Sequence, residues 1–140
     1  MGINSNSRIA SFRDLEVYQE AYALSVIVMT KIVPKLPDCE KRDLKDQLSR
    51  SSKAVPRLIA EGYAKKHQKL GFQKYLDDAM AEINETIVGL AHSRDIYQID
   101  KTLCDELMNR YDILGRRTYR LSESWDNFRY KGRKSPITTS

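Results

Sequence analysis

Glycine and proline are scarce. Six glycines and four prolines in 140 residues are too few turn formers for the many reversals of an all-β fold. Cysteine is scarcer: Cys39 and Cys104 stand far apart, with no metal-type spacing. That excludes a disulfide framework and fits free thiols in a cytoplasmic protein. No run of 18 apolar residues occurs, so no membrane association is expected. The opening MGINSNSRIASF has no apolar signal core. The two histidines, His67 and His92, are isolated, and neither stands in the Glu-x-x-His pair of a di-iron bundle. A Gly-rich phosphate loop and a zinc motif are also missing. No catalytic residue, metal or cofactor is therefore expected, and the chain reads as non-enzymatic.

What the chain does have is apolar residues, 41% of the total, and helical periodicity. Leu15, Tyr22, Val26, Met29 and Val33 recur at steps near the helix period. Phe12 precedes them, Ser11 or Asp14 can cap them, and Pro34 and Pro37 bracket their end. A second stripe is Leu44, Leu48, Ser51, Val55, Leu58, Ile59 and Gly62. A third is Phe72, Leu76, Ala79, Ile83, Ile87, Leu90 and Tyr97, opened by Gly71. A fourth is Leu103, Leu107, Tyr111, Leu114, Leu121, Trp125 and Phe128, with Asp100 as its cap. The short connections predict an all-α, antiparallel up-down-up-down four-helix bundle. Residues 1–11 are expected to be a flexible N-terminus, 12–130 the bundle, and 131–140 a disordered basic tail.

The first helix is apolar on a second side as well. Val17, Ala21, Leu24 and Val28 lie roughly opposite the first stripe at about 100° per residue. In a four-helix bundle that side faces outward, so these four residues are expected at an interface between copies of the chain.

Charge alternates along the sequence. Residues 41–74 hold 10 basic and 3 acidic side chains, a net of +7; residues 75–109 hold 2 and 8, a net of −6; residues 110–140 hold 8 and 3, a net of +5. On the second helix Arg42, Arg50, Lys53 and Arg57 fall within roughly 80° of one another, opposite the apolar stripe. Pro56 falls between the two faces and is read with Gly62 as architectural: the proline removes one backbone hydrogen bond, and the glycine allows close helix approach. Asp78, Glu82 and Glu85 make a solvated acidic face on the third helix. Arg94, on that helix's apolar side, calls for a carboxylate or carbonyl partner.

Three stretches carry a resemblance: FRDLEVYQEAY, SRSSKAVPRLIAEGYAKK and FQKYLDDAMAEINETIVGLAHSRDI. The chain resembles the bacterial four-helix-bundle proteins encoded in intervening sequences of the large-subunit ribosomal RNA gene. Phe12, Asp14, Leu15, Val17 and Tyr18 match that family's aromatic-x-Asp-Leu-x-Val-aromatic opening. Val55, Pro56, Arg57, Leu58, Ile59, Ala60, Glu61 and Gly62 match its Ile-Pro-x-x-Ile-Ala-Glu-Gly motif except at the first position. The resemblance implies a homopentamer. The fold is also similar to the accessory protein of diversity-generating retroelements, a basic pentamer that associates with a reverse transcriptase and nucleic acid. It implies a shape and an assembly more than an activity.

The basic groups supply the functional expectation. Arg50, Lys53 and Arg57 form one group; Lys65, Lys66, His67 and Lys69 a second; Arg116, Arg117 and Arg120 a third, with Arg129, Lys131, Arg133 and Lys134 beyond. Such arrays bind phosphate backbones through charge and counterion release, and a ring of copies would join them into a band. The expected function is binding of RNA or DNA without strong sequence specificity. The alternative is an oligomeric scaffold whose main partner is a protein such as a reverse transcriptase.

Overall fold

The computed structural model describes residues 8–132, with side chains to Trp125. The expected tail, apart from residues 131 and 132, lies outside the described residues, as do residues 1–7 and the side chains of Phe128 and Arg129. Four helices carry the chain: α1 (Glu16–Ile27), α2 (Leu44–Ala64), α3 (Gly71–Tyr97) and α4 (Lys101–Gly132).

The N-terminal side is tied down from Ala10 onward. The Asp14 carboxylate accepts the backbone N–H groups of Ala10 and Ser11 at 2.8 and 3.0 Å, and the Ser11 hydroxyl accepts that of Arg13 at 3.1 Å. This reciprocal cap closes a single turn, Phe12–Asp14, ahead of α1. At its other end α1 does not simply stop at Pro34. Val28–Ile32 winds as a wider π turn, in which the Val33 N–H reaches back five residues to the Val28 carbonyl. The Thr30 hydroxyl donates to the Val26 carbonyl at 2.7 Å, which helps to satisfy the loosened backbone. Pro34 then enters a tight turn, Val33–Lys35.

Along the middle of α1 the inner and outer faces are the reverse of the sequence expectation, while Leu15 and Val33 of the expected inner stripe do pack on the core. Val17 is 5% exposed, and Ala21, Leu24 and Val28 are fully buried, all within the chain's own core together with Leu15 and Ile32. They are not an outward interface. Tyr22 and Val26, expected inside, are 54% and 43% exposed. Both stripes have helical spacing, so periodicity alone could not rank them. Chemistry ranks them: small Ala21 lets α1 sit close to its neighbours, while Tyr22 keeps its hydroxyl in water.

The remaining stripes pack as expected, with Leu48, Val55 and Ile59 of α2, Phe72, Leu76, Ile83 and Leu90 of α3, and Leu107, Tyr111 and Leu114 of α4 all buried. Contacts between helices run in opposite order along the two chain directions. Ser51 hydrogen bonds to Thr86 at 2.8 Å, while further along α2 Tyr63 stacks edge-on against Phe72. Arg94 meets Asp105, and Ile83 approaches Gly115. Glu20 meets Arg110, and Glu16 meets Arg117. Thus α2 and α3, α3 and α4, and α1 and α4 each run antiparallel. Packing of α1 against α2 completes the ring, with α2 and α4 at diagonal corners.

Two glycines permit close approach. A Cβ on Gly62 would stand 2.5 Å from the Tyr75 Cβ, so the expectation of a helix contact there holds. A Cβ on Gly71 would stand 2.1 Å from the Lys65 carbonyl oxygen. Backbone cannot rotate away as a side-chain tip can. Alanine is the better helix former by about 1 kcal/mol, but overpacking of this kind costs about 1–3 kcal/mol. Gly71→Ala should therefore lower the urea midpoint. Gly89→Ala should not: the nearest atom to its Cβ would be the tip of the Leu48 side chain, Cδ1 at 2.8 Å, which can move, while the Leu48 Cγ and Cβ at 3.6 and 3.7 Å are at ordinary contact. Equal midpoints for the two variants would refute this reading of the α2–α3 turn.

Candidate nucleic-acid interface

The basic face of α2 is partly neutralised on its own helix. Arg50 lies 3.4 Å from Asp46 and Arg57 3.7 Å from Glu61, each one helical turn apart. Glu61 thus takes part in a charge pair on the surface. Across the seam, the Glu82 carboxyl is pushed up mainly by burial and also by Glu85, while Arg57 and Arg50 pull it back. Asp78 and Glu85 are exposed, as a solvated acidic face requires. Exposed pairs of this kind contribute little, about 0–1 kcal/mol, so Arg50 and Arg57 can exchange carboxylate for phosphate at small cost. Lys53 is exposed and has no ion pair among the described residues.

At the α2–α3 turn the backbone is closely bonded. Lys65 N–H donates to Gly62, Gln68 to Lys65 and Gly71 to Gln68, at 2.9, 2.9 and 3.0 Å. Lys65, His67 and Lys69 are exposed on this rigid frame. The Lys66 ammonium sits 4.1 Å over the Tyr63 ring. Tyr63 and Phe72 pack on Trp125 at 6.5 and 5.0 Å between centroids, which brings α4 beside the turn.

The three arginines expected to form the α4 group divide. Arg117 is half-buried and ion-paired to Glu16, next to the two-pronged Arg110–Glu20 pair at 3.0 Å in each prong. It clamps α1 to α4 and is not a free cation. Arg116 and Arg120 are exposed and have no ion pair among the described residues. Because α2 and α4 are diagonal, Arg50, Lys53 and Arg57 do not form one band with Arg116 and Arg120 within a single chain. Arg120 and the turn lie nearer each other: Arg120 is about 8 Å along the helix from Trp125 at 1.5 Å per residue.

The opposite end of the bundle is held by carboxylates. Glu40 accepts the Leu44 N–H at 3.1 Å and the Tyr97 hydroxyl, so it joins the start of α2 to the end of α3. The Tyr97 hydrogen bond, then that of Leu44, holds the Glu40 carboxyl below its usual value. Arg94 forks to Asp95 at 2.7 and 3.0 Å and reaches Asp105 at 2.7 Å. Lys101 adds a 2.8 Å bond to Asp105. Arg94 lowers the Asp95 carboxyl, and Lys101 then Arg94 lower that of Asp105. The sign follows directly: depressed carboxyls stabilise the fold above their ordinary values, and that stability is lost as pH falls through the depressed ones. Thermal midpoints should thus hold above about pH 4.5, the ordinary glutamate value, and drop below it. Tyr97→Phe should flatten that acid limb; an unchanged limb would remove Glu40 from its cause.

Three clefts border these surfaces, one of them, about 560 Å³, lying between α1 and α4 beside Glu16, Arg117 and Arg120. Tyr18, Tyr22, Val26 and Met29 face Pro56 and Ala60 across an apolar groove of about 490 Å³ between α1 and α2. Pro56 is buried there within an unbroken α2, flanked by Lys53 and Arg57. The third cleft, about 570 Å³, lies between α3 and α4 beside Arg116 and Arg120. Among the described residues no cluster of three or more His, Cys, Asp or Glu side chains is placed to hold a metal ion, and no helix is long and apolar enough to cross a membrane.

Sequence reasoning missed the outward face of α1 and the α3–α4 cleft. It also missed the neutralising partners of Arg50 and Arg57, although Asp46 and Glu61 stand four residues away in each case, a spacing that announces such pairs. No curated protein and no solved structure matches the chain. Residues 13–120 match the 23S rRNA-intervening sequence protein family. That span runs from α1 through much of α4, and the chain belongs to the family of 23S rRNA-intervening sequence proteins.

Proposed function

We propose that this protein is a non-enzymatic, oligomeric bundle that binds nucleic-acid phosphates without strong sequence preference. The observation that carries the reading is the division of cations. Arg94, Arg110 and Arg117 are spent on ion pairs that hold helices together. Lys65, Lys69, Arg116 and Arg120 are exposed without acidic partners among the described residues. They stand on a hydrogen-bonded turn and a helix, so little side-chain scaffolding must be ordered on binding. No base-reading module accompanies them, and phosphate contacts position without specifying. The family is named for intervening sequences of 23S rRNA, which is consistent with an RNA-associated protein.

Assembly belongs to the same proposal. Tyr22 and Val26 leave an apolar face on α1, and Lys53 and Arg57 edge its groove. Another copy offers a complementary rim in the acidic face of α3, where Asp78 and Glu85 are exposed. The homopentamer implied by the family resemblance repeats each cationic group around a ring and multiplies weak contacts.

The test is retention of RNA and DNA on a filter across a salt series. Retention at about 50 mM salt that falls steeply as salt rises supports the reading, because released counterions set the slope. No retention of either nucleic acid at that salt overturns it. The main partner would then be a protein, of the kind a reverse transcriptase represents.

A further inference from the structure

We propose that the cleft between α3 and α4 takes a nucleobase of single-stranded RNA, with Arg116 and Arg120 holding the phosphates on either side. The inference rests on the nucleic-acid reading above and adds a place and a preference to it. The cleft, about 570 Å³, falls in the range that small-molecule sites occupy. Its walls are apolar where a base would present its faces: Ile83 and Met80 on α3, Tyr111 and Tyr119 on α4. Gly115 keeps it open. A Cβ there would touch only the Ile83 Cγ2, at 3.8 Å, so packing between the helices does not demand glycine. The space beside it is unfilled rather than tight.

Three features suit a nucleotide better than an apolar ligand. Arg116 and Arg120 stand one helical turn apart at the cleft, exposed and without ion pairs among the described residues, so that two cations face the single Asp112 carboxylate on the lining. Tyr119 is 53% exposed between them in sequence, an aromatic ring at the mouth of a cationic cleft. The Glu123 carboxylate, one turn further along α4, lies beside the Tyr119 hydroxyl and pushes its pKa up. Aromatic rings beside a cationic track are how single strands are bound without reading sequence, since every base has a π-face. The third feature is Tyr111. It is fully buried, lines the cleft, and its phenolic oxygen has no hydrogen-bond partner among the described residues. Native interiors rarely leave such a group unsatisfied. Asn84, on the facing wall, adds an amide at the rim.

A duplex keeps its bases stacked inside and offers the cleft nothing to take. The preference is therefore the readout. Fluorescence anisotropy would compare an RNA single strand of about 12 nucleotides with a duplex of the same length, both spanning a typical site. Tyr119→Ala and Gly115→Leu should each weaken the single strand about tenfold, with duplex affinity nearly unchanged and far-UV circular dichroism intact. Tyr119→Phe should keep single-strand binding, because the ring does the stacking. Loss of both ligands together, or of neither, in Tyr119→Ala overturns the proposal. If wild type binds both and Gly115→Leu folds but changes neither, the cleft is excluded while the broader phosphate reading stands. If wild type binds neither, both fall. Should Gly115→Leu not fold, Tyr119→Ala decides alone.

Discussion

Leu24→Asp should yield no folded protein, while Val26→Asp should yield a folded protein that no longer assembles. The two positions are two residues apart on one helix and differ in what surrounds them. Leu24 is fully buried. Truncating a buried leucine to alanine already costs about 2–5 kcal/mol, and an unpaired carboxylate in the same place adds several more. Domain stability totals about 5–15 kcal/mol, so the substitution consumes most or all of it. Val26 is 43% exposed and touches water in the single chain. Aspartate there leaves the core alone and places a charge in the apolar groove that another copy is proposed to cover. Circular dichroism and light scattering together separate the outcomes. A Val26→Asp protein that assembles like wild type would sink this face as the interface, as would a wild type that is monomeric at micromolar concentration. A folded, disassembled Leu24→Asp protein would contradict the packing of α1 itself.

The second large effect is electrostatic. Arg116→Glu with Arg120→Glu should lower affinity for a single strand about 10- to 100-fold at low salt, and should reduce the salt slope by about one to two. The effect should be nearly equal across sequences, since phosphates carry none. Reversing Arg50 and Arg57 should matter less. Both already share their charge with Asp46 and Glu61, and they sit on the far diagonal corner. Arg117→Glu should instead destabilise the fold, because it would face Glu16. Filter binding over a salt series reads the first two, and thermal unfolding reads the third. Equal losses from the α2 and α4 reversals would mean that the free-cation distinction carries no function.

Much of this architecture was legible in the sequence. The 3.6-residue stripes of α2, α3 and α4 are one-sided, so Leu48, Phe72 and Leu107 fall inside with no competing choice. Asp100 stands where a cap should, and its carboxylate does accept the Leu103 N–H, at 3.1 Å. The face of α1 was not legible, because Val17–Val28 and Tyr22–Met29 share one period. Residue size and the Tyr22 hydroxyl favour one side, and packing against α4 through Glu16 and Glu20 fixes it. The roles of the arginines follow the same division. Asp46 and Glu61 are local partners that spacing can reveal. The Arg117–Glu16 pair joins residues 101 apart, and no periodicity reports it. Nor does any pattern in the chain announce a cleft, which is a property of the gap between two helices.

The π turn at Val28–Ile32 has a bearing on which insertions and deletions the chain tolerates. A turn closed over five residues holds one residue more than an α turn closed over four. In α1 itself, removal of a residue would rotate everything beyond it by about 100° and carry the core residues out into water. Within the π turn the surplus residue is already there to lose. Thr30 and Lys31 are both exposed, and deleting Lys31 would let the backbone relax into an ordinary α turn with Val28 still inward and Ile32 close to its place. The segment that follows α1 is thus the point where chain length and side-chain register are uncoupled, and length variants of this bundle should collect there while α1 before it admits none.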